Sequence, residues 1–408
     1  MTEIFNRWQE KRVRELLENR RVVAISGARQ SGKTTLARKV AAKQDTFLSL
    51  DNEDILATAL SDPMGFVRHK KGTLIIDEIQ KAPSLLLAIK QVVDADNRPG
   101  QFLLTGSADI ATLPRITDSL AGRISHIRLR GLTMGEILGR QPTFLDKAFR
   151  RDWPLTIKGY DKPAILNLAF RGGYPEVLAL KQVARGAWFG DYKKSLLSRD
   201  LKDIANIQRQ EVMDALLNVL SAWSGKLMDV EAICAPLSVT RRMLVNYANV
   251  LLLLCLFEKV PAWILTDYDR VGRREKIYAA DTGMMAHLLD WREADVLYDP
   301  DKSSKMVETF VFNQLCAQTD FYHYSLFHYR DRQKREIDFI VKNDAGGLLG
   351  IEVKSGSAVS RNDARHMVWF KNNIAKEREF IGIVLYTGDI TLPLGEDMYA
   401  VPMAALWS

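Results

Sequence analysis

The sequence predicts an α/β multidomain chain: a P-loop parallel sheet with flanking helices, a helical and winged-helix middle, and a second α/β unit at the C-terminal end. Three observations predict it. An apolar run enters Gly27-x-x-x-x-Gly32-Lys33-Thr34, and a helical pattern leaves it. Apolar runs then alternate with helical stretches as far as residue 130, the pattern of a sheet covered on both faces. Late in the chain, Asp338, a turn and Glu352-x-Lys354 fall on successive strand-like runs.

A chain of 408 residues exceeds one ordinary domain. Composition shifts divide it into 1–140, 141–205, 206–296 and 297–408. An apolar fraction of 47% and a charged fraction of 26% suit globular cores. The opening "MTEIFNRWQEKR" has no apolar signal region. The longest apolar stretch, "VLLLLCLF" at 250–257, is too short for a bilayer and reads as a buried helix. Cys234, Cys255 and Cys316 lie far apart with no metal-ligand spacing, which suits a reducing cytoplasm. The net charge of +7 is misleading about nucleic acid. Residues 1–43 hold 11 Lys/Arg against 4 Asp/Glu, +7 by themselves, so the other 365 residues sum to zero. Any case for DNA must rest on local patches.

The first element, "RVVAISGARQSGKTTLARK" (21–39), has the strand–loop–helix order that a phosphate-binding loop needs. Gly27 and Gly32 let the backbone curl so that the amides of Arg29, Gln30, Ser31 and Thr35 and the helix start point at phosphate oxygens. Lys33 supplies a charge to the β- and γ-phosphates, and the Thr34 hydroxyl reaches Mg²⁺. Next, "GTLIIDEIQKAP" (72–83) is an apolar strand ending in Asp77-Glu78. Asp77 is expected to hold Mg²⁺ through water and Glu78 to polarise the attacking water, which implies hydrolysis of ATP to ADP. "QFLLTGSAD" (101–109) ends in Thr105 and Ser107, and Thr105 is the choice for sensing the γ-phosphate. Arg123 in "SLAGRISHIRLRGL" (119–132) is a candidate arginine finger in a homo-oligomeric ring or hexamer, with Arg115 as rival and an ordinary surface arginine as the alternative.

The middle turns helical, interrupted by "RGGYPEV" (171–177). Residues 208–223 form a helix with Val212, Leu216, Leu217 and Leu220 on one face. A short helix (229–235), a turn and a longer helix capped by Ser238 precede two strand-like runs, "FEKVPAWIL" and "EKIYAAD". That is the winged-helix order. Arg241, Arg242, Arg273 and Arg274 would then face DNA; the alternative is a lid or docking module packed on other domains.

"LYDPDKSSK" (297–305) reads as a linker, followed by a helix bearing Glu308. "FHYRDRQKREIDFIV" places Asp338 on a strand, and "KNDAGG" turns into "LLGIEVKSG". Alternation puts Glu352 and Lys354 on one strand face. Asp, turn, Glu-x-Lys is the PD-(D/E)xK nuclease signature, with Glu336-Ile337 where the naming Pro would stand. Asp338 and Glu352 would bind Mg²⁺ or Mn²⁺, with Glu308 a further ligand, and Lys354 would stabilise developing charge. Arg330, Arg332, Lys334 and Arg335 offer a patch for a branched or single-stranded DNA backbone. A surface ion pair, or a nuclease-like fold kept for docking, is the alternative.

Together "GARQSGKTT", "LIIDEIQ", "TGS…SLAGR", "GGYPEV", "YAADTGM" and "EIDFIV…IEVKSG" resemble one family. It comprises bacterial and archaeal AAA-type ATPases whose C-terminal part is catalogued as a domain of unknown function. The resemblance implies an ASCE-type P-loop core, a winged helix and a restriction-endonuclease-like end. It carries over Lys33, Thr34, Asp77 and Glu78 as the nucleotide site, and Asp338, Glu352 and Lys354 as the nuclease-like site.

Overall fold

The computed structural model describes residues 4–68, 71–107, 120, 122–201, 209–264 and 273–408. Five short strands form the first sheet: β1 (Val22–Ser26), β2 (Thr46–Ser49), β3 (Leu74–Asp77), β4 (Phe102–Gly106) and β5 (Ile124–Arg128). All neighbours are parallel, in the order β2-β3-β4-β1-β5. Side chains alternate between the two faces. Val22, Ala24, Ile76 and Leu104 enter one core, and Val23, Ile25, Ile75 and Leu103 enter another on the opposite face. Thus β4 lies between the strand that feeds the P-loop and the strand that ends in Asp77.

A second, three-stranded antiparallel sheet comes after helix Gln210–Ala222. It consists of β6 (Lys226–Leu227), β7 (Phe257–Val260) and β8 (Lys276–Ala279), in the order β6-β8-β7. Helices Val230–Leu237 and Arg241–Leu253 lie between β6 and β7 in sequence. The cap of the longer helix is Thr240, whose hydroxyl accepts from the Met243 amide at 3.2 Å, and not Ser238. Ser238 is left-handed, φ 49°, and closes the preceding helix. The apolar run at 250–257 is likewise not one helix: it ends at Leu253, turns through Cys255 (φ 58°) and enters β7 at Phe257.

The expected linker at 297–305 is also corrected. Pro300 opens a 23-residue helix, Pro300–Tyr322, capped by Asp299, which accepts from the amides of Asp301 and Lys302. Proline at the first helical position after an acidic cap starts a helix rather than marking a linker. Six strands complete the chain: β9 (Ser325–Arg330), β10 (Glu336–Lys342), β11 (Leu348–Val353), β12 (Phe380–Tyr386), β13 (Leu392–Gly395) and β14 (Met398–Pro402). Their order is β13-β14-β12-β11-β10-β9, with β9-β10-β11 antiparallel and β11-β12-β14 parallel.

From residue 134 to 407 one continuous hydrophobic core runs through the helical connector, the three-stranded module and the C-terminal sheet. Trp407, 1% exposed, packs edge-on against Tyr160 and Phe310. β7 extends onto the edge of β9: His328 donates its amide to the Pro261 carbonyl at 3.0 Å, and Trp263 donates to the His328 carbonyl at 2.7 Å. No helix among the described residues is long and apolar enough to cross a membrane.

Candidate functional sites: a nucleotide loop and a lysine-filled acid cluster

The loop after β1 curls where glycine is required. A Cβ on Gly27 would sit 2.2 Å from the Leu129 carbonyl oxygen, and Gly32 has φ +97°. Gln30 is left-handed as well, φ 61°. Arg29 is half-buried, with its carbonyl accepting from the Tyr192 hydroxyl at 3.4 Å, and Thr35 is exposed on the first helical turn. Lys33 is 4% exposed and donates to the Gly27 and Ala28 carbonyls at 2.9 and 2.8 Å. The Ser31 hydroxyl is buried and has no hydrogen-bond partner among the described residues. Arg7 braces the loop from outside, donating to the Ser31 and Arg130 carbonyls at 2.7 and 2.6 Å and pairing with Glu136 at 3.0 Å.

Asp77 gathers three hydroxyls. Thr34 donates at 2.9 Å, Ser49 donates at 3.2 Å, and Thr105 donates to the same carboxylate from the intervening strand. Glu78 is next, in a left-handed conformation, φ 59°, with its amide donating to the Thr105 hydroxyl at 3.3 Å. Gln80 donates to the Glu78 carboxylate and, at 2.9 Å, to Ser107. Hydroxyl and carboxylate side by side, a lysine at the loop and an unpartnered Ser31 hydroxyl suit a triphosphate with Mg²⁺. Thr34 and Asp77 would hold the ion, and the ion would supply charge neutralisation to the phosphates. Arg123 pairs with Asp94 of helix Leu85–Ala95, away from this cluster. Arg115 lies outside the described residues.

The C-terminal residues also converge. Phe339 of β10 stands opposite Ile351 of β11, which brings Asp338 and Glu352 to neighbouring positions. The Val353 amide donates to Asp338 at 3.0 Å, and Lys354 pairs with Glu352 at 3.2 Å. Glu308, from helix Pro300–Tyr322, faces the same cluster. Between these acids lies a residue for which sequence patterning carries no signal. The Lys276 ammonium, on β8 and 1% exposed, stands 2.7 Å from Glu336, 3.2 Å from Glu308 and 3.4 Å from Asp338. Tyr278, two residues along the same strand face, donates to Glu308 at 2.7 Å. Burial opposes the charge on Lys276, but Glu308, Asp338 and Glu336 outweigh it and hold the ammonium protonated far above neutral pH. Burial and Asp338 together push Glu352 up to about 8. A divalent ion on the same oxygens would meet that ammonium at contact distance, so the cluster as folded does not fit Mg²⁺ or Mn²⁺. Among the described residues no group of three His, Cys, Asp or Glu is arranged to hold a metal ion. Of the basic patch, Arg335 is held by Asp331 at 2.6 Å and lies over the Trp369 ring at 3.4 Å, and Arg330 pairs with Glu336 at 3.3 Å.

A third set of charges sits where the units meet. Arg128 and Arg130, at the end of β5, reach Glu258 on β7, and Arg130 pairs with Asp320 of helix Pro300–Tyr322 at 2.6 Å. Burial pushes Glu258 up, but Arg128 and Arg130 outweigh it and hold the carboxyl at about 2. Nearby, Asp281 accepts the Gly173 and Met284 amides at 2.7 and 2.8 Å, joining "GGYPEV" to "YAADTGM".

Three stretches of the chain match families of known proteins. Residues 19–138 match an AAA domain, 163–295 a domain of unknown function (DUF8612) and 303–406 another domain of unknown function (DUF4143). With the P-loop and the Asp77 hydroxyl cluster, the first match makes the N-terminal part an AAA-type P-loop ATPase domain, a class that takes ATP with Mg²⁺. Over 394 residues the chain is 28% identical to the uncharacterized protein Rv2008c of Mycobacterium tuberculosis, covering 96% of this chain and 82% of that one. Uncharacterized protein Mb2031c of Mycobacterium bovis matches to the same extent. Among solved structures, the Thermotoga maritima RuvB Holliday junction branch migration motor aligns at TM-score 0.28 and 18% identity, over 65% of this chain and 93% of that one. A STAND ATPase from Pyrococcus horikoshii aligns at TM-score 0.26 and 14% identity, over 75% and 46%. Likenesses of that size carry no weight for function.

Proposed function

We propose that this chain is a nucleotide-switched regulatory ATPase: ATP bound at the P-loop is read by a winged-helix module and a restriction-endonuclease-like domain that serves as its interaction body. The observation that carries this reading is the half-buried charged junction at β5. β5 pairs with β1, which feeds the P-loop, and the Leu129 amide donates to the Ser26 carbonyl at 2.7 Å. On either side of Leu129, Arg128 and Arg130 hold Glu258 and Asp320 of the two later units. A shift of the loop on binding phosphate would move the backbone between two half-buried ion pairs. The helix, strand, helix, helix, strand, strand order over 210–279 supports the winged-helix reading. If subunits assemble in a ring, Arg123 would leave Asp94 to reach a neighbour's γ-phosphate.

Hydrogen exchange with and without a non-hydrolysable ATP analogue tests the switch. Protection is expected to change in β7 and in helix Pro300–Tyr322 of the wild type, and in neither for Lys33→Ala. Changes confined to residues 19–138 would sink the proposal.

Convergence of Asp338, Glu352 and Lys354 beside Glu308 supports a second reading only if Lys276 first leaves the acids: a nuclease acting on branched or single-stranded DNA. Incubation with branched, single-stranded and linear DNA plus Mg²⁺ or Mn²⁺ decides it. No cleavage by the wild type, or equal cleavage by Asp338→Ala, removes it. Affinity for DNA that falls steeply with salt would mark phosphate contacts.

A further inference from the structure

We propose that Lys276 is the resident cation of the C-terminal acid cluster, an internal plug that takes the place a divalent ion would occupy. Its ammonium lies within 3.4 Å of carboxylate oxygens from three residues on two elements, Glu308, Glu336 and Asp338. A buried ammonium is costly unless carboxylates and hydrogen bonds surround it. Equally, a group of buried carboxylates is costly without a cation. Each half of this arrangement answers the other.

The plug is built into the fold rather than draped over it. Lys276 and Tyr278 share one face of β8, and both address Glu308, while Ile277 between them is fully buried on the other face. β8 is held on both sides, by Leu227 of β6 and Val260 of β7 opposite Lys276. The close approach of the two units needs Gly225. It has φ +81°, and a Cβ there would stand 3.2 Å from a Glu308 carboxylate oxygen. Continuation of β7 onto β9 through His328 fixes the same junction from the far side. Lys354, by contrast, is 36% exposed in its side chain and reaches Glu352 and Asp363. The cluster therefore carries two ammonium groups, one buried and imported from another unit and one at the rim.

Mg²⁺ and Mn²⁺ bind through carboxylate oxygens at much shorter distances than an ammonium does, and keep several waters. Neither the ion nor its waters fits while Lys276 stays. In the wild type, then, a divalent ion is excluded until β8 withdraws from the C-terminal sheet. This bears on the cluster alone and stands whether or not the switch reading above holds.

The test is Mn²⁺ binding to the full chain without nucleotide or DNA, followed by the electron paramagnetic resonance of free Mn²⁺. Lys276→Ala, checked for folding by circular dichroism, is expected to gain one site with affinity about ten-fold or more above the wild type. Adding Asp338→Asn to that variant is expected to abolish the gain. If Lys276→Ala does not fold, Lys276→Ala with Glu336→Gln removes one charge of each sign and is read in the same way. Wild type binding Mn²⁺ as tightly as the lysine variant would overturn the proposal. So would a folded variant that gains no site, or a gain that survives Asp338→Asn. DNA cleavage plays no part in the readout, so an inactive nuclease leaves it standing, and ATP turnover reports separately on the switch.

Discussion

Glu78 occupies a left-handed backbone position, φ 59°, directly after the strand that delivers Asp77. That turn separates two adjacent acids. Asp77 points into the hydroxyl cluster of Thr34, Ser49 and Thr105, while Glu78 is held by Gln80, itself anchored on Ser107. A carboxylate so placed is free of the hydroxyl cluster around Asp77, and the proposed role for Glu78 is to polarise the attacking water. Glu78→Gln is expected to lower ATP hydrolysis by about 10²–10⁴-fold, with the affinity for a fluorescent ATP analogue unchanged. An equal loss of affinity would return Glu78 to a structural role. Lys33 donates to two loop carbonyls, so in the proposed role its charge would turn from them to an arriving phosphate. Gln80 carries no signal in the sequence, because a glutamine two residues past an Asp-Glu pair has no chemistry of its own until the turn folds it back.

At the scale of elements, the edge strand β5 owes its importance to the arginines at its C-terminal end. Glu258 on β7 lies well below the ordinary glutamate value of 4.5, at about 2, because Arg128 and Arg130 outweigh the effect of burial. A carboxyl depressed in the folded state contributes stability that is present above its unfolded value and is lost as pH falls towards its folded value. Glu258→Gln is therefore expected to be less stable than the wild type at pH 7 by about 3 kcal/mol. In urea unfolding that gap should narrow between about pH 5 and pH 2. A gap that stays constant across that range would mean the ion pairs contribute nothing. The central strands β1, β3 and β4 are readable as largely apolar runs, since a strand buried on both faces needs no alternation. Helix ends are less readable. Ser238 and Thr240 are both good caps by type, and only the left-handed turn at Ser238 decides between them.

Across the whole molecule, the connector, the three-stranded module and the C-terminal sheet share one core. The segments 141–205, 206–296 and 297–408, which follow shifts in composition, all contribute side chains to that core. Trp407 fills the space between Tyr160 of the connector and Phe310 of the long helix. Trp407→Ala is expected to cost about 3–5 kcal/mol and to lower the unfolding midpoint of both the connector and the C-terminal sheet in a single transition. Separate transitions, with only one of them shifted, would mean that the units fold independently.

Local spacing is enough to specify the nucleotide loop and its acids, because phosphate binding demands particular residues at fixed intervals: Gly27, Gly32, Lys33 and Thr34 on one turn, and Asp77 and Glu78 at one strand end. It also puts Asp338 and Glu352 on two strands of one hairpin, with Lys354 just past the end of the second, where pairing is local. The group that faces those acids is set by the docking of distant elements. Lys276 lies 62 positions before Asp338 in the chain, in a run whose pattern reads as an ordinary strand. Its ammonium reaches the acids because two sheets pack together. Contacts made by docking leave no periodicity in the sequence, and the identity of the cation in that cluster is such a contact.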